Sequence, residues 1–272
     1  NAPEGGKEPL LALMENLVMG SDHDVFFEGT WQKPGLYLHD WPDRYIHTNY
    51  DLAANIDPTK LKRAAFIGAV NAWFLANMSD EDVPAVLEML KRNALARSGE
   101  LLERRANLNA VDQIEVSKIH FAVERRKVHS VESFAGLDEK DHENAVAFLA
   151  ELEEMVAPPD VQTFAPVYRN QIVYQRNPNV EGPMGAFGYS YLTDKLGAEA
   201  VSHLRLRSYV GTYGGGGQYA YEALNFVDGQ RTVSDIRDWL VTEIGDVPIE
   251  YVEEYLAALE SIDVIRRKSG SE

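Results

Sequence analysis

The residues best equipped for chemistry sit near the start of the chain. Ser21-Asp22-His23-Asp24-Val25-Phe26 comes first, and Asp43-Arg44-Tyr45-Ile46-His47-Thr48-Asn49-Tyr50-Asp51 follows about twenty residues later. Neutral imidazole is a common zinc ligand, and a neighbouring carboxylate fixes its tautomer through the other ring nitrogen. His47 is therefore a candidate metal ligand, with Asp22 and Asp51 as carboxylates able to hold a ligating ring. A histidine in a loop also serves as a surface or hydrogen-bonded group, and residue type alone leaves both readings open. The remaining histidines, His39, His120, His129, His142 and His203, are scattered. For His120 and His129, a charged helix predicts a solvated or salt-bridged face. Gly214 to Gly217 lacks the Lys-Ser/Thr of a phosphate loop, so a hinge is the plainer reading.

Positioning falls to the elements around these residues. Gly35-Leu36-Tyr37-Leu38-His39 reads as a strand, followed by the turn-rich Asp40-Trp41-Pro42-Asp43. Asp57-Pro58-Thr59 opens a helix, with Asp57 as N-cap and Pro58 at its first position. The helix runs to about Asn77, and Leu61, Ala65, Phe66, Ala69, Val70 and Trp73 predict one buried face. From Ser79-Asp80-Glu81-Asp82, a capping signal, long charged helices follow. Their predicted stripes are Val86, Leu87, Leu90, Ala94 and Leu101; then Ala110, Ile114, Ile119, Phe121 and Val123; then Ala145, Phe148, Leu149, Leu152 and Val156. The third helix ends at Pro158-Pro159. A helical hairpin or small bundle results, whose ordinary role is a brace or a dimer surface.

The last region predicts short helices at Tyr189–Leu192, Tyr221–Gly229, from Thr232 or Ser234, and from Pro248, then a terminal strand at Asp263–Arg266. Three short helices and a strand suggest a winged-helix-like module. The expected organisation is thus 1–78, 79–158 and 159–272. The fold class is α/β with mainly α additions. Trp31, Trp41, Trp73 and Trp239 are most simply core or pocket-wall aromatics.

Composition narrows the function classes. The 272 residues are 45% hydrophobic and 25% charged, the balance of a folded globular chain. No apolar run reaches the roughly 18 residues of a membrane span. The net charge of −17 argues against duplex DNA or an anionic membrane as the main partner. Residues 219–268 carry eleven acidic against five basic side chains, which opposes DNA reading by the winged-helix-like end. The absence of cysteine removes disulfides, thiolate metal sites and Cys nucleophiles. Asn1-Ala2-Pro3-Glu4-Gly5-Gly6 is neither an initiator Met nor a signal peptide, so the chain reads as cut.

Ser-Asp-His-x-x-Phe, then Asp-x-Tyr-Ile-His-Thr-x-x-Asp, then Ile-Asp-Pro and a helix resemble the end of the catalytic domain of the M28 zinc aminopeptidases. The likeness covers roughly residues 10–78. It implies that His47 is the last ligand of a two-zinc site and that Ser21, Asp22 and His23 line or support that site. An aromatic near the ligating His contacts the reacting carbonyl in some members. Here Ile46 stands immediately before His47 and Tyr45 one position further back. A second likeness lies near the C-terminus. Tyr221-Glu222-Ala223-Leu224-Asn225-Phe226-Val227-Asp228-Gly229-Gln230-Arg231-Thr232-Val233, then Ile236-Arg237-Asp238, then Val252-Glu253-Glu254-Tyr255-Leu256 resemble the accessory module of the family's larger members. A two-zinc site needs about five protein ligands and a separate Glu. In the family these precede the Ser-Asp-His motif, where this chain has only Glu4, Glu8 and Glu15 as acids. The resemblance therefore implies a C-terminal portion of an aminopeptidase acting on peptide N-termini. Such a portion holds one ligand for its two zinc ions, is inactive alone, and favours an extracytoplasmic location. The competing expectation is a protein-interaction module that dimerises through residues 79–157.

Overall fold

The computed structural model describes residues 12, 14, 19–33, 35–39, 42, 44–158, 168–182, 184–186, 189–211 and 214–268. Asp43, Trp41 and the segment after Pro158 lie outside them, as do Glu4, Glu8 and Glu15. The described part is mostly helical, with strands confined to two small antiparallel pairs.

Among the described residues the N-terminal region has two α-helices, α1 (His23–Phe27) and α2 (Pro58–Asn77). The predicted start of α2 is found. Asp57 Oδ1 accepts from the amides of Thr59 (2.8 Å) and Lys60 (3.3 Å), and Pro58 occupies the first turn, where its missing N–H costs nothing. Its predicted buried face is not found. No α2 residue is buried, and Phe66 and Trp73 are 66% and 67% exposed. Periodicity identifies an apolar stripe, but burial needs a second surface to meet it. Residues 35–39 form no strand either, because no described segment pairs with them. The α/β character expected of residues 1–78 thus has no sheet among the described residues there.

A three-helix bundle comes next: α3 (Val83–Arg105), α4 (Ala110–His129) and α5 (Glu139–Met155). Leu87, Ala94 and Leu101 of α3 meet Val116, Phe121 and Val128 of α4 and Ala145, Leu149 and Leu152 of α5 in its core. The buried side of α4 departs from the predicted stripe. It carries Asp112, Ser117, His120 and Glu124 beside Val116 and Phe121, while Ile114, Ile119 and Val123 are half-buried. These polar groups are tolerated because each meets a partner. Arg97 grips Glu124 through both guanidinium arms (2.8 and 2.6 Å), Arg105 donates to Ser117 Oγ (2.6 Å), and His120 Nε2 lies 3.2 Å from Ser98 Oγ. His120 is therefore buried and not on a solvated face.

The C-terminal region contains β1 (Tyr174–Arg176), β2 (Gly185–Ala186), β3 (Tyr189–Ser190), α6 (Tyr191–Leu196), α7 (Ala198–Ser202), α8 (Arg205–Ser208), α9 (Gly216–Asn225), α10 (Val233–Glu243), α11 (Ile249–Ser261) and β4 (Ile265–Arg267). Strand β1 pairs antiparallel with β4, Gln175 opposite Arg266, and β2 pairs with β3. Thr232 caps α10, accepting from the Asp235 amide (3.1 Å). Gly216, within the glycine run, opens α9. A side chain there would drive into the backbone carbonyls of Leu206 and Arg207, so glycine permits the close approach of α8 to α9. Two tryptophans also depart from expectation: Trp31 and Trp73 are exposed, while Trp239 packs against Phe226 and under Arg231.

The bundle and the C-terminal region share one core, with α10 packed on α4. Across that seam Arg237 pairs with Asp112 (2.6 Å), and Arg104 donates to the carbonyls of Thr242 (2.6 Å) and Glu243 (3.1 Å).

Candidate functional site

Helix α1 places His23 at its first position, with Asp22 preceding it as an exposed N-cap whose side chain makes no cap bond. The His23 ring is half-buried. Its Nε2 lies 3.2 Å from Asp24 Oδ1, and it stacks on Tyr37 at 3.9 Å with planes 11° apart. Tyr37 stacks in turn on His39 at 5.0 Å. Phe27 meets His23 edge-on at 5.2 Å. His23, Phe26, Phe27, Lys33, Gly35 and Leu36 line an open cavity of about 300 Å³. This cluster comprises an imidazole with an adjacent carboxylate over an apolar floor. It can hold a planar or apolar group.

The second segment is a knot of local hydrogen bonds. The Tyr45 carbonyl accepts from Thr48 N (3.0 Å) and Thr48 Oγ1 (2.6 Å), and the Asp51 amide donates to Thr48 O (3.2 Å). Asn55 Nδ2 donates to Tyr50 O (2.6 Å), which ties the knot to the approach of α2. Tyr45 is half-buried, whereas His47 and Asp51 are exposed. His47 has φ of +61°, the left-handed region that non-glycine residues seldom adopt. Gln32 (+48°) and Asp263 (+61°) share that region, which His and Asp enter more readily than most side chains.

The sequence-predicted residues thus fall into an α1 cluster, with Asp22 and His23, and a turn, with Tyr45, His47 and Asp51. Among the described residues no group of three or more His, Asp or Glu side chains could hold a metal ion. The described donor set therefore does not fit the two-zinc site implied by the resemblance, since one exposed imidazole is too few.

Sequence reasoning missed what holds α1. Glu28, at the end of α1, is buried and ion-paired with Arg176 of β1. The Gly29 amide donates to Asn225 Oδ1 of α9 (2.8 Å), and Tyr221 Oη of α9 donates to the Asp24 carbonyl (2.6 Å). These partners lie well over a hundred residues apart in sequence, and no local pattern signals them. Two shifted groups were not anticipated either: His120, read as solvated, and Glu222. Burial, opposed by Glu124 and aided by Lys127, Arg97 and Arg104, pushes the His120 imidazole down to about 4. Burial and the facing Glu243 carboxylate push Glu222 up to about 8, while Asn225 works the other way.

Compared with protein-family models, curated proteins and solved structures, the chain matches none of them. No helix among the described residues is long and apolar enough to cross a membrane.

Proposed function

We propose that this chain is the C-terminal portion of a zinc-dependent aminopeptidase of the M28 kind. Residues 1–78 would close the peptidase domain, and a winged-helix-like module, built on α9, α10, α11 and the β1–β4 pair, would come after the bundle. One observation carries the reading. Helix α2 is a full 20 residues long with none of them buried, and it presents Leu61, Phe66, Val70, Trp73 and Leu75 to solvent. Leu36, Leu38, Leu52 and Ile56 extend the exposed apolar surface on the approach to it. Apolar surface of that extent marks an interface. An α/β peptidase domain supplies its natural cover, a sheet against which a helix of this kind packs. The substrate is then a peptide with a free N-terminus, and the bond hydrolysed is its first. In the family the remaining ligands precede the Ser-Asp-His motif, so the chain by itself should neither retain zinc nor turn over substrate.

The test compares this chain with the polypeptide extended upstream through its own gene. The extended protein should hold two zinc ions and release p-nitroaniline from leucine p-nitroanilide, and His47→Ala should abolish release. Turnover with stoichiometric zinc in the present chain alone would defeat the proposal. So would an extended protein that hydrolyses nothing.

The competing interaction reading draws on Leu95 and Leu102, exposed and one heptad apart on α3. If they seat a second copy, sedimentation should show a dimer that Leu95→Glu converts to monomer.

A further inference from the structure

We infer that the C-terminal module acts as a clamp on the candidate site, with Arg176 as the positioning residue that acts through Glu28 on α1 and its His23-Asp24 pair. The inference rests on the proposed peptidase reading only for the purpose the held helix serves.

Helix α1 is five residues long and buries no residue of its own. So short a helix is not stable by itself. What orders it comes from the other end of the chain. Glu28, just past the helix, is 1% exposed, a place where a carboxylate is tolerated only when paired. Its partner is the Arg176 guanidinium, which also reaches Thr30 Oγ1 (3.2 Å). Gly29 allows this approach, since a side chain there would strike Arg176 Nη1. Helix α9 adds two ties: Tyr221 Oη donates to the Asp24 carbonyl, and Asn225 accepts from the Gly29 amide. Asn225 is itself oriented by Glu222 Oε1 (3.3 Å). The ties fall on residues 24 to 30, on the same short segment that carries His23. Strand β1 is fixed in turn by its pairing with β4, so the clamp is anchored in the module's core. An accessory module that merely capped the site would need no buried ion pair reaching beneath the helix.

The experiment uses the full 272-residue chain and needs neither metal nor turnover. Amide hydrogen exchange is measured in wild type, Arg176→Met, Arg176→Lys and Tyr221→Phe. In parallel, NMR monitors the His23 Cε1 proton, whose ring-current shift comes from the stacked Tyr37. Arg176→Met should speed exchange across residues 24–33 by at least about tenfold, leave α10 and α11 unchanged, and move the His23 resonance toward its free position. Arg176→Lys should restore part of both, and Tyr221→Phe should loosen the same segment to a lesser degree. Unchanged exchange at 24–33 would overturn the inference, as would a uniform loss of protection over the whole chain. A wild-type-like His23 signal in Arg176→Met would also overturn it. If the clamp behaves as stated while the extended protein proves inactive, the clamp stands and the peptidase reading fails.

Discussion

The His120 imidazole should make the chain lose stability as pH falls through the mildly acidic range. The ring is buried on α4, edge-on to Phe121 at 4.9 Å and 3.2 Å from Ser98 Oγ. Burial holds its folded-state pKa at about 4, whereas the unfolded chain should titrate near the ordinary value of 6.5. The unfolded state therefore binds a proton that the folded state refuses between these two values. Stability from this group is complete above about pH 6.5 and declines as pH falls toward 4, because the slope depends on the excess of protons on the unfolded chain. Those two pKa values give a loss of about 1 kcal/mol between pH 7 and about 5.5, and about 2–3 kcal/mol by about pH 4.5. Urea unfolding of wild type and His120→Gln across this range isolates the contribution, since other groups titrate alike in both proteins. The glutamine variant can still bond to Ser98 and cannot titrate. Its stability relative to wild type should rise by these amounts on acidification. A difference between the two proteins that is constant with pH would refute the argument that burial controls the ring.

Glu222 should act in the opposite direction and in a different window. Its carboxyl is raised to about 8 by burial and by Glu243, so the folded state keeps a proton that the unfolded state releases from about 4.5 upward. Stability from this group falls between those values, and Glu222→Gln should gain about 4–5 kcal/mol over wild type near pH 9 and little near pH 4, by urea titration. Gly216→Ala should cost about 2–4 kcal/mol, because the new methyl group meets the Leu206 and Arg207 carbonyls; thermal unfolding reads this directly. Phe121→Ala in the bundle core should cost about 3–5 kcal/mol, whereas Phe66→Ser and Trp73→Ser on the exposed face of α2 should each stay within about 0.5 kcal/mol in this chain. In the extended protein the two α2 variants should become strongly destabilising, since the same side chains would then be covered.

What the sequence disclosed is what short-range chemistry controls. Asp57 with Pro58, Thr232 or Ser234, and the Ser79–Asp82 run announced helix starts, and the structure places the caps at Asp57, Thr232 and Ser79, because a cap is satisfied within three residues. Hydropathy located the α3 stripe at Leu87, Ala94 and Leu101. It misplaced the α4 stripe, where Asp112, His120 and Glu124 face inward with partners supplied by Arg237, Ser98 and Arg97 on other helices. A pattern rule sees polarity and not the distant partner that neutralises it. The same limit explains α2, whose amphipathic spacing is plain while its cover is not, and Gly216, whose meaning lies in two carbonyls on another helix. At the candidate site, His23 and His47 were visible as residue types in a motif. The Glu28–Arg176 pair that holds the first of them was not, since it joins segments 148 positions apart.

The central claim is that the imidazole at position 47 faces a zinc ion once the exposed surface of α2 is covered by the rest of a peptidase domain. Anomalous diffraction at the zinc edge from crystals of the extended protein tests it most directly. The account predicts two peaks a few ångströms apart, one of them in bonding contact with a ring nitrogen of His47. Peaks ligated wholly by other residues, with the His47 ring turned to solvent and α2 still bare, would contradict it.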